Sequence, residues 1–165
     1  RMEQVMQMLK GYQYKMLLNI YIIERNNKIY AVTTNKIYDY IEEETELIKK
    51  AATQLNEYFQ GKRTVFDLPL DYEGTPFQMK VWQELQKIPY GQTRSYKEIA
   101  KAINNPKAYR AVGNANNHNR IMIIIPCHRV IGSNNKLVGY AGGLKMKEML
   151  LSLERNNDST SFRKN

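Results

Sequence analysis

"SYKEIAKAINNPKAYRAVGNANN", Ser95 to Asn117, reads as two short helical runs around a polar, proline-containing break. Ser95 and, three residues on, Glu98 form a capping box, in which each side chain satisfies a free backbone amide at a helix start. The helix so opened carries Ile99 and Ile103 on its apolar side. "NNP" then interrupts, and the spacing predicts a second helix starting at Asn105 and Pro106. Two short helices joined by a tight turn form the helix-turn-helix pattern. The second helix has a face of small side chains, Ala108, Ala111, Val112 and Ala115, with Tyr109 and Arg110 projecting elsewhere. Such a face suits close packing on a neighbouring helix as well as close approach to a ligand, and the pattern by itself does not choose.

Upstream, "TPFQMKVWQELQKIP" has Thr75 as N-cap, Pro76 at the first helical position and Gln78 completing another capping box. Phe77, Val81, Trp82, Leu85 and Ile88 supply its apolar stripe. The two prolines and the glycine of "RTVFDLPLDYEGTP" break regular structure, which places a linker at Leu68 to Gly74. Before it, "EEETELIKKAATQLNEYFQGK" repeats Leu47, Ile48, Ala51, Ala52, Leu55, Tyr58 and Phe59 at helical spacing, with acids leading and Gly61 closing. "YKMLLNIYIIERNNKIYAVTTN" reads as two β-rich runs around "RNNK", a hairpin. Downstream, "GYAGGLKMKEMLLSLE" gives a glycine-rich loop and an amphipathic helix burying Met146, Met149, Leu150 and Leu153. The fold class is therefore α/β (α+β). An N-terminal α/β domain is expected over 1–70, a mostly helical domain over 71–157 and a flexible tail over 158–165.

Lysine and arginine number 25 against 16 acids, a net charge of +9, which favours an anionic partner such as nucleic acid or a membrane surface. A single cysteine excludes an internal disulfide and multi-cysteine zinc sites. With His118 and His128 as the only histidines, no metal is expected. Apolar runs such as "IMIII" are too short to span a bilayer, and the first residues lack the apolar core of a secretory signal, so a soluble intracellular protein is expected.

The cysteine lies in "IIIPCHRVIG", Ile123 to Gly132. A lone cysteine is ordinarily a small buried hydrophobe. Here Pro126 restricts the backbone before Cys127, and His128 and Arg129 place two cationic candidates beside the sulfur, which favours a thiolate. The apolar run Ile121 to Ile125 makes a rigid base for the loop. In an extended segment neighbouring side chains point to opposite faces, so His128 needs a turn or a bridging water to reach the sulfur. A third group should orient the histidine, and spacing alone does not select it.

"IPCHRVIG" strongly resembles the active-site signature of the O6-alkylguanine-DNA alkyltransferases, or methylated-DNA–protein-cysteine methyltransferases. "PYGQTRSYKEIA", "NPKAYRAVGNANNHN" and "GYAGGLKMKEMLLSLE" resemble the family's other signatures, in order, so the likeness runs from about Gly74 to Glu154. The resemblance implies a ribonuclease H-like N-terminal domain and a winged-helix-like C-terminal DNA-binding domain. It implies stoichiometric repair, with the alkyl group of O6-alkylguanine, and of O4-alkylthymine, moved irreversibly to Cys127. His128 resembles the water-mediated base, Glu154 the acid that orients it, and Asn119 the asparagine that braces the loop. Tyr96 resembles the tyrosine that crowds the flipped nucleotide's phosphate and protonates guanine N3. Arg110 resembles the arginine that fills the gap left by the rotated base. The resemblance places Ala108, Ala111 and Gly113 against a minor groove. The amides of Cys127 and Ala141 would read O6, the carbonyl of Val130 the exocyclic amine, and Tyr140 would wall the pocket. The implied partner is double-stranded DNA containing O6-alkylguanine; no cofactor and no membrane are implied. A monomer is expected, in the cytoplasm, or in the nucleus of a eukaryote.

Arg120 stands where the family often has proline, Met122 where some members have a pocket proline, Ala141 for a serine and Met149 for a frequent tryptophan. No N-terminal cysteines correspond to the zinc ligands of some members. A non-catalytic alkyltransferase-like binder of damaged DNA is the alternative, and Cys127 speaks against it because those proteins lack the acceptor. A winged-helix regulator leaves "PCHRV" without a purpose, and a cysteine hydrolase leaves the surrounding DNA-binding signatures without one.

Overall fold

The computed structural model describes residues 8–133, 137–140 and 142–157, and the tail expected over 158–165 lies outside them. The chain divides after Tyr72 into two compact units, Arg1–Tyr72 and Glu73–Asn165.

The first unit holds β1 (Lys10–Lys15), β2 (Asn19–Arg25), β3 (Lys28–Thr33), β4 (Ile41–Glu42) and α1 (Glu46–Phe59). The sheet order is β3-β2-β1-β4, with β4 parallel to β1 and the other pairs antiparallel. Asn26 and Asn27 both have positive φ, 54° and 60°, and close a two-residue turn that sets Arg25 opposite Lys28. The run read as one hairpin is in fact three strands. Its first break, at Met16–Leu18, is closed by a bond from the Met16 amide to the Leu18 carbonyl at 2.9 Å and contains none of the usual turn residues. Thr45 caps α1 by accepting from the Ile48 amide, and Gly61, at φ 75°, ends it with the Lys62 amide bonded back to the Glu57 carbonyl. Ile48, Ala51, Leu55 and Tyr58 of α1 are buried over a sheet that buries Ile20, Ile22, Ile29 and Val32. Part of the expected linker belongs to this unit. Leu70 bridges Ile29 in parallel fashion, and Asp71 accepts two bonds from Arg25 at 2.8 and 3.2 Å.

The second unit holds α2 (Pro76–Leu85), β5 (Arg94–Ser95), α3 (Tyr96–Ala102), α4 (Tyr109–Asn117), a 3-10 turn (Cys127–Arg129), β6 (Val130–Ile131) and α5 (Leu144–Asn157). Both capping boxes form, Thr75 with Gln78 and Ser95 with Glu98. The start expected for α4 at Asn105 does not hold. Asn104 turns left-handed at φ 61°, and the Asn104 and Asn105 amides return to the Lys101 and Ala100 carbonyls, so these residues finish α3. One further turn is needed before α4 begins at Tyr109. The face of small residues also divides. Val112 and Ala115 are buried, Ala108 is half-buried, and Ala111 is exposed beside Arg110.

Trp82 of α2 donates its indole N–H to the Ala115 carbonyl at 2.9 Å, tying α2 to α4. β5 pairs with β6 in parallel, Arg94 opposite Val130, which anchors the start of α3 beside the cysteine turn. On α5 the expected face is corrected. The helix buries Lys147, Leu150, Leu151 and Glu154, a single i, i+3, i+4, i+7 stripe, and leaves Met146, Met149 and Leu153 half-buried. No helix among the described residues is long and apolar enough to cross a membrane.

Candidate active site

The chain approaches the cysteine through two tight turns. The Ile124 amide bonds the Met122 carbonyl at 2.8 Å around Ile123, whose φ is +73°. The Cys127 amide bonds the Ile125 carbonyl at 2.7 Å around Pro126, at φ −80° and ψ 64°. A branched side chain in left-handed backbone costs about 1–3 kcal/mol, so this segment stores strain four residues before the cysteine. The 3-10 turn then removes the alternation of an extended chain, and Cys127, His128 and Arg129 face different surroundings. Asn119 braces the arch: its Oδ1 accepts from the Ile121 amide, and its Nδ2 lies 3.2 Å from the Ile121 carbonyl, 2.9 Å from the Ile125 carbonyl and 3.2 Å from Cys127 Sγ.

His128 and Glu154 are fully buried, with Nε2 2.6 Å from Oε2. An ionised carboxylate only accepts, so Nε2 carries the proton and Nδ1 is left with its lone pair. Nδ1 is buried and bonds to no group among the described residues. Arg129 grips the other side of Glu154, Nε to Oε1 at 2.8 Å and Nη2 to Oε2 at 3.0 Å, while Nη1 donates to the Ile88 carbonyl. The Gly91 amide also donates to Oε1 at 3.1 Å, with Gly91 at φ 81°, a conformation glycine adopts without strain. Burial pushes the Glu154 carboxyl up, but the bond and charge of His128, then of Arg129, outweigh it and bring it down to about 2. Burial lowers His128 despite Glu154. With the imidazole neutral near pH 7, the standing cation that keeps Glu154 ionised is Arg129. This corrects the expectation that Arg129 flanks the sulfur.

A cation whose charge favours the ionised sulfur is Lys147, which the sequence reading missed. It has no exposed surface, and its Nζ donates to the Val138 and Gly139 carbonyls at 3.0 and 3.3 Å. Burial lowers it to about 8, against a smaller upward pull from Cys127. Cys127 itself is 2% exposed. Burial pushes its thiol up, opposed by the Asn119 bond, then by the Lys147 charge, a backbone bond and Tyr140. The Tyr140 hydroxyl is buried beside the thiol, short of an aligned hydrogen bond, and is raised by burial and then by Cys127. Tyr96 is half-buried, is raised for the same two reasons in the same order, and donates to the Val138 carbonyl at 2.9 Å. Val138 thus holds both Tyr96 and Lys147.

The fold brings together Cys127, His128, Glu154, Asn119, Tyr96 and Tyr140. Arg110 and Ala111 are exposed on α4, Ala108 and Gly113 are partly exposed, and Ala141 lies outside the described residues. Val130 is buried, its amide bonded to the Cys127 carbonyl. Besides Lys147, sequence reasoning missed Gly91 and Asn116. The glycine of the turn "PYGQT" and two charged residues seven apart on an apolar helix stripe, Lys147 and Glu154, were the available signals. Among the described residues, no three His, Cys, Asp or Glu side chains cluster as metal ligands.

The family model described as 6-O-methylguanine DNA methyltransferase, DNA binding domain, matches residues 76–156, and the ribonuclease-like domain of the same family matches residues 17–72. The methylated-DNA–protein-cysteine methyltransferase of Methanosarcina barkeri is 61% identical over 119 residues, 72% of this chain and 75% of the relative. The constitutive enzyme of Bacillus subtilis is 56% identical over 113 residues, 68% of each chain. The crystal structure of Mycobacterium tuberculosis OGT in complex with DNA superposes with a TM-score of 0.85 at 39% identity, covering 93% of this chain and 97% of that one. An O6-methylguanine DNA methyltransferase from Methanococcus jannaschii gives 0.67 at 28% identity, over 88% and 92%. With both units matched and relatives more than half identical over two thirds of their length, the chain belongs to the 6-O-methylguanine DNA methyltransferase family, whose members repair DNA as methylated-DNA–protein-cysteine methyltransferases.

Proposed function

We propose that this chain accepts the alkyl group of O6-alkylguanine, and of O4-alkylthymine, on Cys127, acting as a monomer on duplex DNA. The observation that carries the reading is the buried His128–Glu154 pair, whose 2.6 Å bond leaves the Nδ1 lone pair as a base in the same turn as the thiol. A bridging water passes the thiol proton to Nδ1. The sulfur then forms a bond to the alkyl carbon as the carbon–O6 bond breaks, and the electron pair goes to the purine. Tyr96 delivers a proton to guanine N3, which makes the base a better leaving group. The thioether has no facile reverse reaction, so each molecule acts once.

The target atom is shielded inside a duplex, so the nucleotide has to rotate out of the stack. Here α4 enters the minor groove by its Ala108, Ala111 and Gly113 side, and Arg110 occupies the vacated gap. The exposure of Arg110 and Ala111 supports this assignment. Because Cys127 is almost sealed, the Val138–Tyr140 segment shifts to admit the base. The Val130 carbonyl and the Ala141 amide read the base edge. The Cys127 amide, already bonded to Ile125, contributes to O6 by sharing its hydrogen. Minor-groove reading is degenerate, which fits repair in any sequence, and phosphate contacts by a chain of charge +9 should make affinity fall steeply with salt.

The test is incubation with a duplex carrying labelled O6-methylguanine, followed by peptide mass analysis. The expected result is one methyl group per protein, on the peptide containing Cys127, and none in Cys127→Ala, which still binds the duplex. Turnover beyond one methyl per molecule, or bound DNA that stays methylated, rejects the proposal.

A further inference from the structure

Cys127 is held at three of its atoms. Its amide is bonded to the Ile125 carbonyl, its sulfur to Asn119, and its carbonyl accepts both the Val130 amide and the side chain of Asn116, Nδ2 to O at 3.2 Å. Asn116 is 1% exposed, and its Oδ1 is buried with no hydrogen-bond partner among the described residues. Leaving a buried acceptor unsatisfied is unfavourable, and an apolar residue of like size would avoid it. Helix α4 nonetheless carries the amide inward, where it reaches the cysteine turn, and the preceding residue, Ala115, is fixed to Trp82.

We infer that Asn116 is a positioning residue, which fixes the peptide plane of Cys127 so that the sulfur lies in line with the carbon it attacks. The inference rests on the methyl-transfer reading of Cys127. In-line displacement tolerates little error, and a misplacement of about 1 Å costs ~10²-fold in rate. Of the Cys127 atoms, Asn119 is bonded to the sulfur. The Asn116 bond, with that of the Val130 amide, holds the Cys127 carbonyl and so opposes rotation of the 127–128 peptide. Asn116 therefore acts through the backbone of the nucleophile and touches neither base nor alkyl group. Local agreement is broken at a position where function demands it, as expected of a site residue.

The test uses Asn116→Leu and, as a second apolar replacement of different shape, Asn116→Met. Single-turnover transfer from an O6-methylguanine duplex is measured over a range of protein concentrations, alongside urea unfolding. The expected result is a maximal rate at least tenfold below that of the unsubstituted chain, with the half-saturating concentration unchanged. The urea midpoint should be equal or higher, because the orphaned oxygen is gone. A maximal rate equal to that of the unsubstituted chain overturns the inference. So does a slow rate accompanied in both variants by a lowered midpoint or weakened half-saturation, which makes Asn116 a packing residue of α4. The unsubstituted chain serves as control: if it transfers no methyl group, the functional reading has failed instead.

Discussion

Arg129 binds both oxygens of Glu154 inside the second unit, where neither side chain has appreciable solvent contact. A buried pair of this kind contributes little net stability as a pair, yet removal of one partner strands the other.

Arg129→Met should therefore destabilise the chain by about 3–5 kcal/mol in urea unfolding. Arg129→Met combined with Glu154→Leu should recover most of that loss. A single variant within about 1 kcal/mol of the parent would mean that the carboxylate is held well enough without Arg129.

Stability should fall on the acid side in two stages. His128 and Glu154 both titrate below their ordinary values of 6.5 and 4.5 in the folded chain. A depressed group stabilises the fold above its unfolded value and loses that contribution as pH falls toward the folded one. His128 thus contributes a decline starting near pH 6.5, and Glu154 a further one between 4.5 and about 2. The Glu154 part amounts to about 3 kcal/mol. Unfolding free energies measured from pH 7 to 2 should show the second stage flattened in Glu154→Gln; an unchanged slope there assigns it to other carboxylates.

Lys147→Met should raise the thiol's ionisation midpoint, because a nearby cation favours thiolate. Iodoacetamide labelling of Cys127 near pH 7 should slow several-fold. Lys147 itself loses its proton at about 8, so the difference should narrow above that pH. A difference that persists unchanged to pH 10 points to altered packing in place of charge.

Gly113→Ala separates folding from DNA contact. A Cβ placed there meets only the Tyr96 ring, at 3.7 Å, an ordinary contact. The substitution should leave the unfolding free energy in urea equal or raise it by up to about 1 kcal/mol through helix propensity. If α4 enters a minor groove on this side, duplex affinity measured by fluorescence anisotropy should drop several-fold. Unchanged affinity places the DNA elsewhere on the helix.

Local rules gave what local rules govern. The capping boxes at Thr75 and Ser95, the Asn26–Asn27 turn and the Gly61 stop each depend on residues a few positions apart, and each formed. The start of α4 was misread because the Asn105 amide is consumed by the end of α3, a bond that composition does not announce. The strand break at Met16–Leu18 was hidden for a related reason, since its residues also suit a strand. Within the site, residue types and spacing marked Cys127 and His128 but left the third partner open. Only the family resemblance pointed across 26 positions to Glu154. Lys147 escaped notice because hydropathy reading places charged residues on the solvent face of a helix, whereas here two of them lie within the buried stripe.

Trp82 is the one tryptophan in the sequence, and its indole hangs from the backbone of α4 one residue before Asn116. The chain thereby carries a native fluorophore wired to the helix that bears both Arg110 and Asn116. Its emission can follow in real time, without a dye, how that helix responds when DNA arrives and when the sulfur becomes a thioether.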